Sequence, residues 1–227
     1  MTASAAMQEY LAEAYRIAYY QGDNPYISTS ALATALGHSA PAITRMVQRL
    51  KEAGYVEHEP YRGIALTSAG EREALHSIRR HRLVEVFLVK VMGFGWHEVH
   101  DQADDLGEAV GDAVVARMER MAGYPRRCPH GEPIPTAEGH MPRVIDAPLS
   151  EIPVDNDYVI SRVNTHAPEM LAYIGQIGLV PGTRFHLIHR APFNGPLQLE
   201  IGDTKQVIGH ELARVLRVCR PDQFDVR

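Results

Sequence analysis

The sequence predicts an α+β protein of three parts, and three observations support this division. Apolar residues recur at helical spacing through most of the first 121 residues, apart from one hairpin-like stretch. A segment dense in Pro and Gly follows, over residues 123–148. From Tyr158 onward, short β-rich runs alternate with Gly, Pro and Asn turns. We therefore expect an N-terminal helical domain that carries the hairpin, a second all-α domain and a small C-terminal antiparallel β-barrel.

The composition is that of a globular chain with substantial hydrophobic cores. The chain has 227 residues, of which 45% are hydrophobic, and this length favours two or three compact units. No segment approaches the roughly 18–20 continuous apolar residues of a membrane span, and the N-terminus lacks a signal pattern, so we expect a cytoplasmic protein. Cys128 and Cys219 are far apart, which argues against a disulfide scaffold. The net charge is −5, and the negative excess lies between residues 81 and 140, so a local basic stripe elsewhere would still bind DNA.

The N-terminal segment has the pattern of a helix-turn-helix. Residues 6–21 place apolar side chains at helical spacing. A second helix ends at Leu36 and is capped by Ser28 or Thr29. A short turn that contains Gly leads into a third helix, residues 40–53, which carries several basic side chains.

A hairpin follows the third helix. Residues 55–58 and 64–67 alternate like strands around residues 60–63, which places Arg62 at the tip. Helix-turn-helix and basic-tipped hairpin together predict a winged helix that binds DNA, although winged helices that bind proteins have the same pattern. Arg45 is the candidate for a base contact. The expected DNA-binding residues are Ser39, Pro41, Ala42, Thr44, Arg45, Arg49, Lys51 and Arg62.

The stretch from His97 to Glu108 contains two imidazoles and five carboxylates without a Lys or Arg. In a helix, His100, Asp104 and Glu108 share one face because they are four residues apart. His81 and Glu85 repeat this spacing on the preceding apolar helix. Two such groups facing each other would offer nitrogen and oxygen ligands to a divalent cation. The alternative is a solvated acidic face beside core histidines.

The apolar helices between residues 68 and 121 exceed what a winged helix needs to cover itself. We interpret them as a dimer interface, with packing against the C-terminal part as the alternative. In the loop that follows, Cys128-Pro129-His130-Gly131 is a weak metal signal, and loop packing is the favoured interpretation. The expected strands of the C-terminal part are residues 158–160, 184–188, 197–201 and 213–218.

Taken in order, these motifs resemble the diphtheria-toxin-repressor family of iron- or manganese-dependent transcriptional regulators, over essentially the whole chain. The wing sequence is most similar to that of the manganese regulators. The resemblance rests on Glu9-Tyr10-Leu11 in the first helix, residues 39–50 as recognition helix, residues 61–70 as wing, His81-Arg82-Leu83-Val84-Glu85, Val99-His100-Asp101, and residues 128–135 as the loop.

The resemblance implies an ancillary and a primary metal site. The ancillary ligands fall on His81, Glu85 and His100, with His166 and Glu169 supplied by an SH3-like domain. The primary ligands fall on Glu9, Asp104 and Glu108. One further primary ligand position falls on Gly107, which has no side chain, so this site is rearranged. Carboxylate and imidazole ligands favour Mn(II), with Fe(II) as the alternative.

The resemblance also implies a function and a domain organisation. The expected protein is a homodimeric repressor of metal-uptake genes, not an enzyme, that binds a pseudo-palindromic operator in double-stranded DNA when Mn(II) or Fe(II) orders the dimer. A metal-independent winged-helix regulator is the alternative; a metalloenzyme is disfavoured because no nucleophile arrangement accompanies the metal ligands. The expected domains are 1–72 (winged helix-turn-helix), 73–140 (all-α metal-binding and dimerisation domain), 141–155 (linker) and 156–227 (SH3-like, FeoA-type domain).

Overall fold

A computed structural model of the chain describes residues 3–21 and 24–224, except for the side chain of Glu108. It divides into two compact units, one of Met1–His81 with Pro135–Met141 and the other of Arg82–Ile134 with Pro142–Arg227. The division falls within a continuous helix, so His81 and Glu85 belong to one helix although they are assigned to different units.

The first unit contains the predicted winged helix-turn-helix. Ser28 caps the second helix by accepting a hydrogen bond from the backbone N–H of Ala31 at 3.0 Å. Gly37 ends that helix in the left-handed conformation, at φ 65°. The core is formed by buried side chains that include Leu11, Ile27, Leu32, Ile43, Leu50 and Ile64. The elements are α1 (Ala5–Tyr20), α2 (Thr29–Leu36), α3 (Ala40–Glu52), β1 (Val56–Glu59) and β2 (Gly63–Leu66), and the two strands pair antiparallel.

Three helices follow the wing: α4 (Ser68–Lys90), α5 (Val99–Ala109) and α6 (Asp112–Met121). The C-terminal half of α4 is packed on two sides. One cluster joins Leu83 and Val86 to Val115 of α6, and the other joins Val84 and Leu88 to residues of α5 and α6. This packing fixes the rotation of α4 in the second unit. Several apolar side chains remain exposed on and beside these helices, namely Val91, Met92, Val114, Met121 and Tyr124.

The C-terminal part is a six-stranded antiparallel sheet of the predicted SH3-like type. The strand order is β3-β8-β4-β5-β6-β7. Its core is built from alternate inward residues such as Tyr158, Ile160, Leu187 and Leu199. The strands are β3 (Ala147–Pro148), β4 (Asn156–Val163), β5 (Arg184–Arg190), β6 (Leu197–Ile201), β7 (Thr204–Ile208) and β8 (Leu216–Cys219), with α7 (Pro168–Gln176) and α8 (His210–Val215) between them.

Two short helices, α7 and α8, and two short strands, β3 and β7, were not expected from the sequence. Residues 213–215 are the end of α8 rather than the start of a strand, because a short apolar run does not distinguish the two structures. Helix α7 begins at Pro168 and buries Leu171 and Ile174, a face too short for the pattern to be clear. None of the helices in the described part of the chain has the length and apolarity that crossing a membrane requires.

Candidate metal centre and nucleic-acid interface

A buried carboxylate lies at the centre of a group of imidazoles in the second unit. The side chain of Glu85 is only 2% exposed. Its Oε1 lies 3.4 Å from Nδ1 of His100 and 3.5 Å from Nδ1 of His130. These three residues come from α4, α5 and the loop after α6, so the packing of the two helices and this loop defines one point where nitrogen and oxygen ligands converge.

Helix α4 also carries His81, one turn before Glu85. The potential ligand atoms of His81, Glu85 and His100 all lie within 4.8 Å of one another. The structure therefore brings together His81, Glu85 and His100, three of the residues that the family resemblance places in the ancillary site.

His166 joins this group from the loop before α7. Its ring stacks on that of His100, with centroids 4.1 Å apart, and meets the ring of His130 edge-on at 6.1 Å. Glu169 lies exposed in the first turn of α7 and is not part of the cluster that the described side chains form. Of the two ligands expected from the SH3-like part, the structure thus brings His166 to the cluster.

The Cys-Pro-His-Gly loop contributes more than the loop packing expected from its sequence. Ligand atoms of Glu85, Cys128 and His130 lie within 4.8 Å of one another, and all three residues are buried. The sequence showed the close spacing of Cys128 and His130, but it did not show that they contact Glu85, which lies more than 40 residues earlier.

The tautomer of His130 shows that this group suits a cation. Nε2 of His130 lies 2.8 Å from the carbonyl oxygen of Trp96, which only accepts hydrogen bonds, so Nε2 donates. In the neutral ring, Nδ1 then carries a lone pair that faces Oε1 of Glu85 at 3.5 Å. A ring nitrogen lone pair and a carboxylate oxygen that face each other are both ligands for a metal ion. The residues present therefore fit a divalent cation.

Burial raises the pKa of the Cys128 thiol well above its ordinary value, and the negative charge of Glu85 raises it further. The thiol therefore stays protonated at neutral pH in the metal-free protein. Because only the thiolate is a strong ligand, an ion that binds Cys128 must displace this proton.

Buried arginines hold the loop in place. Glu132 accepts hydrogen bonds from Arg82 of α4 at 3.4 Å and from Arg162 of β4 at 2.8 Å. The loop runs directly against β4 at Gly131, where a Cβ would lie 2.3 Å from the carbonyl oxygen of Ser161. The position of His130 thus depends on contacts with both α4 and β4.

The network continues to Asp146, whose side chain is 1% exposed. Asp146 accepts hydrogen bonds from Nε of Arg162 at 2.7 Å and from Nε of Arg217 at 2.6 Å. Burial alone would raise the pKa of Asp146, but these hydrogen bonds and the two positive charges outweigh burial and lower it. Asp146 is therefore an ionised buried carboxylate that fixes Arg162.

The primary-site residues are only partly connected to this cluster. Asp104 is largely exposed, with Oδ2 at 4.0 Å from Nε2 of His100. Glu9 is exposed on α1 of the first unit, and the side chain of Glu108 lies outside the described part of the structure. Gly107 is buried in α5, yet a Cβ there would meet no atom within 4 Å, so the position has room for a side chain.

The second functional surface is the exposed face of α3. Ile43, Met46, Val47 and Leu50 are buried, and the opposite face carries Ser39, Pro41, Thr44, Arg45, Arg49 and Lys51, all exposed, with Ala42 half-buried. Ser39 makes no side-chain capping hydrogen bond. Among the residues that the structure describes, Arg45, Arg49 and Lys51 form no ion pair, whereas Arg62 pairs with Glu59 at 2.9 Å. The basic side chains of α3 are thus available to DNA.

Comparison with known proteins identifies the family. Models of the iron-dependent repressor match residues 2–64 (N-terminal DNA binding domain) and 67–136 (metal binding and dimerisation domain), and the FeoA domain matches residues 147–220. A solved structure of a manganese-dependent transcriptional repressor in complex with manganese is 33% identical, with a TM-score of 0.83 over 94% of this chain and 99% of that one. The chain belongs to the diphtheria-toxin-repressor family.

Two curated relatives of this diphtheria-toxin-repressor family member extend the comparison. The iron-dependent repressor IdeR of Mycobacterium tuberculosis is 27% identical over 199 residues, which is 82% of this chain and 86% of the relative. The diphtheria toxin repressor of Corynebacterium glutamicum is 33% identical over 104 residues, which is 46% of each chain. The chain is therefore a metal-dependent, DNA-binding, homodimeric transcriptional repressor that responds to manganese or iron, and its family is not one of enzymes.

Proposed function

We propose that this repressor is activated by Mn(II), with Fe(II) as the alternative, and that it controls metal-uptake genes in the cytoplasm through a pseudo-palindromic operator. The observation that carries this proposal is the convergence of His81, His100 and His130 on the buried carboxylate of Glu85. The similarity to a manganese-dependent repressor in complex with manganese supports the choice of metal.

The proposed ancillary ligands are His81, Glu85, His100, His166 and Glu169. Their donor atoms are oxygen and nitrogen, which suit Mn(II). His166 already contacts the ring of His100, whereas Glu169 would have to turn toward the cluster from the first turn of α7. Glu9, Asp104 and Glu108 are the proposed ligands of a second ion.

When bound, a divalent cation supplies positive charge that neutralises Glu85 and joins the elements carrying the ligands. Without the cation, the carboxylates of Asp101, Asp104 and Asp105 repel one another, because they are exposed and lie within two turns of α5. Ordered ligand residues favour one arrangement of the dimerisation helices. A homodimer needs such order because its two recognition helices must reach half-sites roughly 34 Å apart on DNA.

The proposed DNA contacts follow from the exposed face of α3. Arg45 contacts a base, Ser39 and Thr44 contact a base or a phosphate, and Pro41 or Ala42 contacts a thymine methyl group. Arg49, Lys51 and Arg62 are the proposed phosphate contacts. Thr44 donates to the carbonyl oxygen of Ala40 at 2.9 Å, so its hydroxyl oxygen can still accept a hydrogen bond.

The proposal is tested by fluorescence anisotropy of chelator-treated protein with DNA from the upstream region of its own gene, titrated with Mn(II), Fe(II) and Zn(II) at fixed salt. We expect binding to appear only with metal. Equal binding with and without metal would leave a metal-independent regulator as the function. His166→Ala should shift the Mn(II) midpoint upward, whereas the matched control His189→Ala, an exposed His on β5, should not.

A further inference from the structure

The tip of the wing has an unusual backbone. Residues 59–62 form a turn closed by a hydrogen bond of 3.2 Å from the N–H of Arg62 to the carbonyl oxygen of Glu59. Pro60 occupies the second position and Tyr61 the third, where φ is +69°. These are the features of a type II turn, whose third position strongly favours Gly because a side chain with positive φ is strained. The sequence thus places an aromatic residue where the turn alone would select Gly.

The side chain of Tyr61 is also fully exposed, at 108% of its reference area. It gains nothing from packing that would offset the backbone strain. Exposure is not a result of a loose hairpin, because β2 is bound to Ile27 by two backbone hydrogen bonds of 2.7 and 2.9 Å between Ile27 and Ile64. At Gly63, a Cβ would lie 2.1 Å from the carbonyl oxygen of Ile27. The hairpin base is therefore tightly held, and Tyr61 projects from a fixed position.

The charged residue of the tip is restrained by its neighbours. The guanidinium of Arg62 stacks 3.8 Å over the ring of Tyr26 and donates two hydrogen bonds to Glu59, at 2.9 and 3.1 Å. The hydroxyl of Tyr26 also donates to Glu59, which raises the pKa of Tyr26 and lowers that of Glu59. The ion pair with Glu59 offsets part of the positive charge of Arg62, so Arg62 is a weaker phosphate contact than an unpaired arginine would be.

On the basis of the DNA-binding function proposed above, we propose that Tyr61 is the main DNA contact of the wing. Its ring packs on a deoxyribose beside the half-site and its hydroxyl donates to a phosphate, while Tyr26, Glu59 and Arg62 hold the turn in position. DNA is the occupant that continuity favours, because Tyr61 lies in the same DNA-binding domain as the exposed face of α3. Tyr is among the side chains that donate hydrogen bonds to DNA phosphates. Because Arg62 is paired with Glu59, a neutral donor such as the Tyr61 hydroxyl supplies a phosphate contact that does not depend on the charge of the wing.

The test compares Tyr61→Gly, Tyr61→Phe and wild type in two assays, urea unfolding and Mn(II)-dependent anisotropy with the operator fragment and with unrelated DNA. Tyr61→Gly should unfold at a higher urea concentration, because Gly relieves the strained turn. It should nevertheless bind both DNAs about tenfold more weakly, as expected for the loss of one hydrogen bond to a charged group and its associated packing. Tyr61→Phe should fall between Tyr61→Gly and wild type.

Phe193→Gly is the matched control. Phe193 is also a fully exposed aromatic residue with positive φ, at +58°, but it lies in the loop between β5 and β6, outside the DNA-binding domain. It should gain stability like Tyr61→Gly and keep wild-type DNA affinity. The proposed contact of Tyr61 with the DNA backbone would be overturned if Tyr61→Gly kept wild-type DNA affinity. It would also be overturned if this variant bound more weakly to the operator fragment alone and not to unrelated DNA. Absence of DNA binding by the wild type with Mn(II) would instead reject the proposed function itself.

Discussion

Glu85 is the residue whose loss should most directly disable the metal response. It is the one carboxylate that belongs both to the group with His81 and His100 and to the group with Cys128 and His130, among the side chains that the structure describes. Glu85→Gln keeps the volume of the side chain but removes its charge and one strong ligand oxygen. Changes of residues that only support metal ligands lower metal affinity about 10- to 100-fold. We therefore expect a loss of at least about 100-fold, or roughly 2.7 kcal/mol, for Glu85→Gln.

The measurement is the Mn(II) midpoint of DNA binding, followed by anisotropy, together with calorimetric titration of Mn(II) into the metal-free protein. Glu71→Gln is the matched control, because Glu71 is an exposed carboxylate in the first turn of the same helix. Urea unfolding of both metal-free variants establishes that each is folded.

An unchanged Mn(II) midpoint for a folded Glu85→Gln protein would refute the reasoning. It would mean that the ion that controls DNA binding is held elsewhere, and the cluster around Glu85 would be a structural feature of the core. Loss of response in Glu71→Gln as well would show that the effect is a general one of charge on α4.

Three further predictions concern the surroundings of the cluster. Asp146→Asn should lower the free energy of unfolding by about 3 kcal/mol at pH 7, because it leaves the buried Arg162 and the half-buried Arg217 beside a neutral group. Folding lowers the pKa of Asp146, so its ionised carboxylate stabilises the fold above the unfolded pKa of about 3.9, and this stabilisation is lost as pH falls toward the folded pKa. The urea midpoints of wild type and Asp146→Asn should therefore converge below about pH 4. Gly107→Ala should raise the free energy of unfolding by about 0.5–1 kcal/mol, because Ala favours a helix more than Gly does and its Cβ would meet no atom within 4 Å. A lower urea midpoint would contradict this. Cys128→Ser should weaken Zn(II) binding more than Mn(II) binding in competition titrations, and equal losses would mean that the thiol does not select the metal.

The winged helix was predictable because its determinants are local. Ser28 caps α2, Gly37 ends it, and the hairpin turns between Glu59 and Gly63, within the residues 60–63 that the sequence indicated. The pair His81 and Glu85 was also predictable, since helical spacing alone places both on one face of α4. Each of these inferences requires only residues a few positions apart.

The rest of the site depends on contacts between distant segments. His130 reaches Glu85 because Glu132 is held by Arg82 and Arg162, and no periodicity in the sequence shows that these residues meet. The pairing of Arg62 with Glu59 was likewise not expected, although the two are only three residues apart, because it depends on the geometry of the turn.

The chemistry around Glu85 also bears on the choice between metals. Simple affinity favours Zn(II) over Mn(II) at any nitrogen and oxygen site, and a thiolate would increase that preference. In this protein the Cys128 thiol is buried beside a carboxylate, so removing its proton at neutral pH costs free energy. This cost opposes the binding of an ion that needs the thiolate as a ligand. An ion bound by Glu85 and imidazoles alone requires no proton from Cys128. The burial of Cys128 therefore reduces the affinity of the site for Zn(II) relative to Mn(II) at neutral pH. The ratio of Zn(II) affinity to Mn(II) affinity should rise as pH rises toward the raised pKa of the thiol.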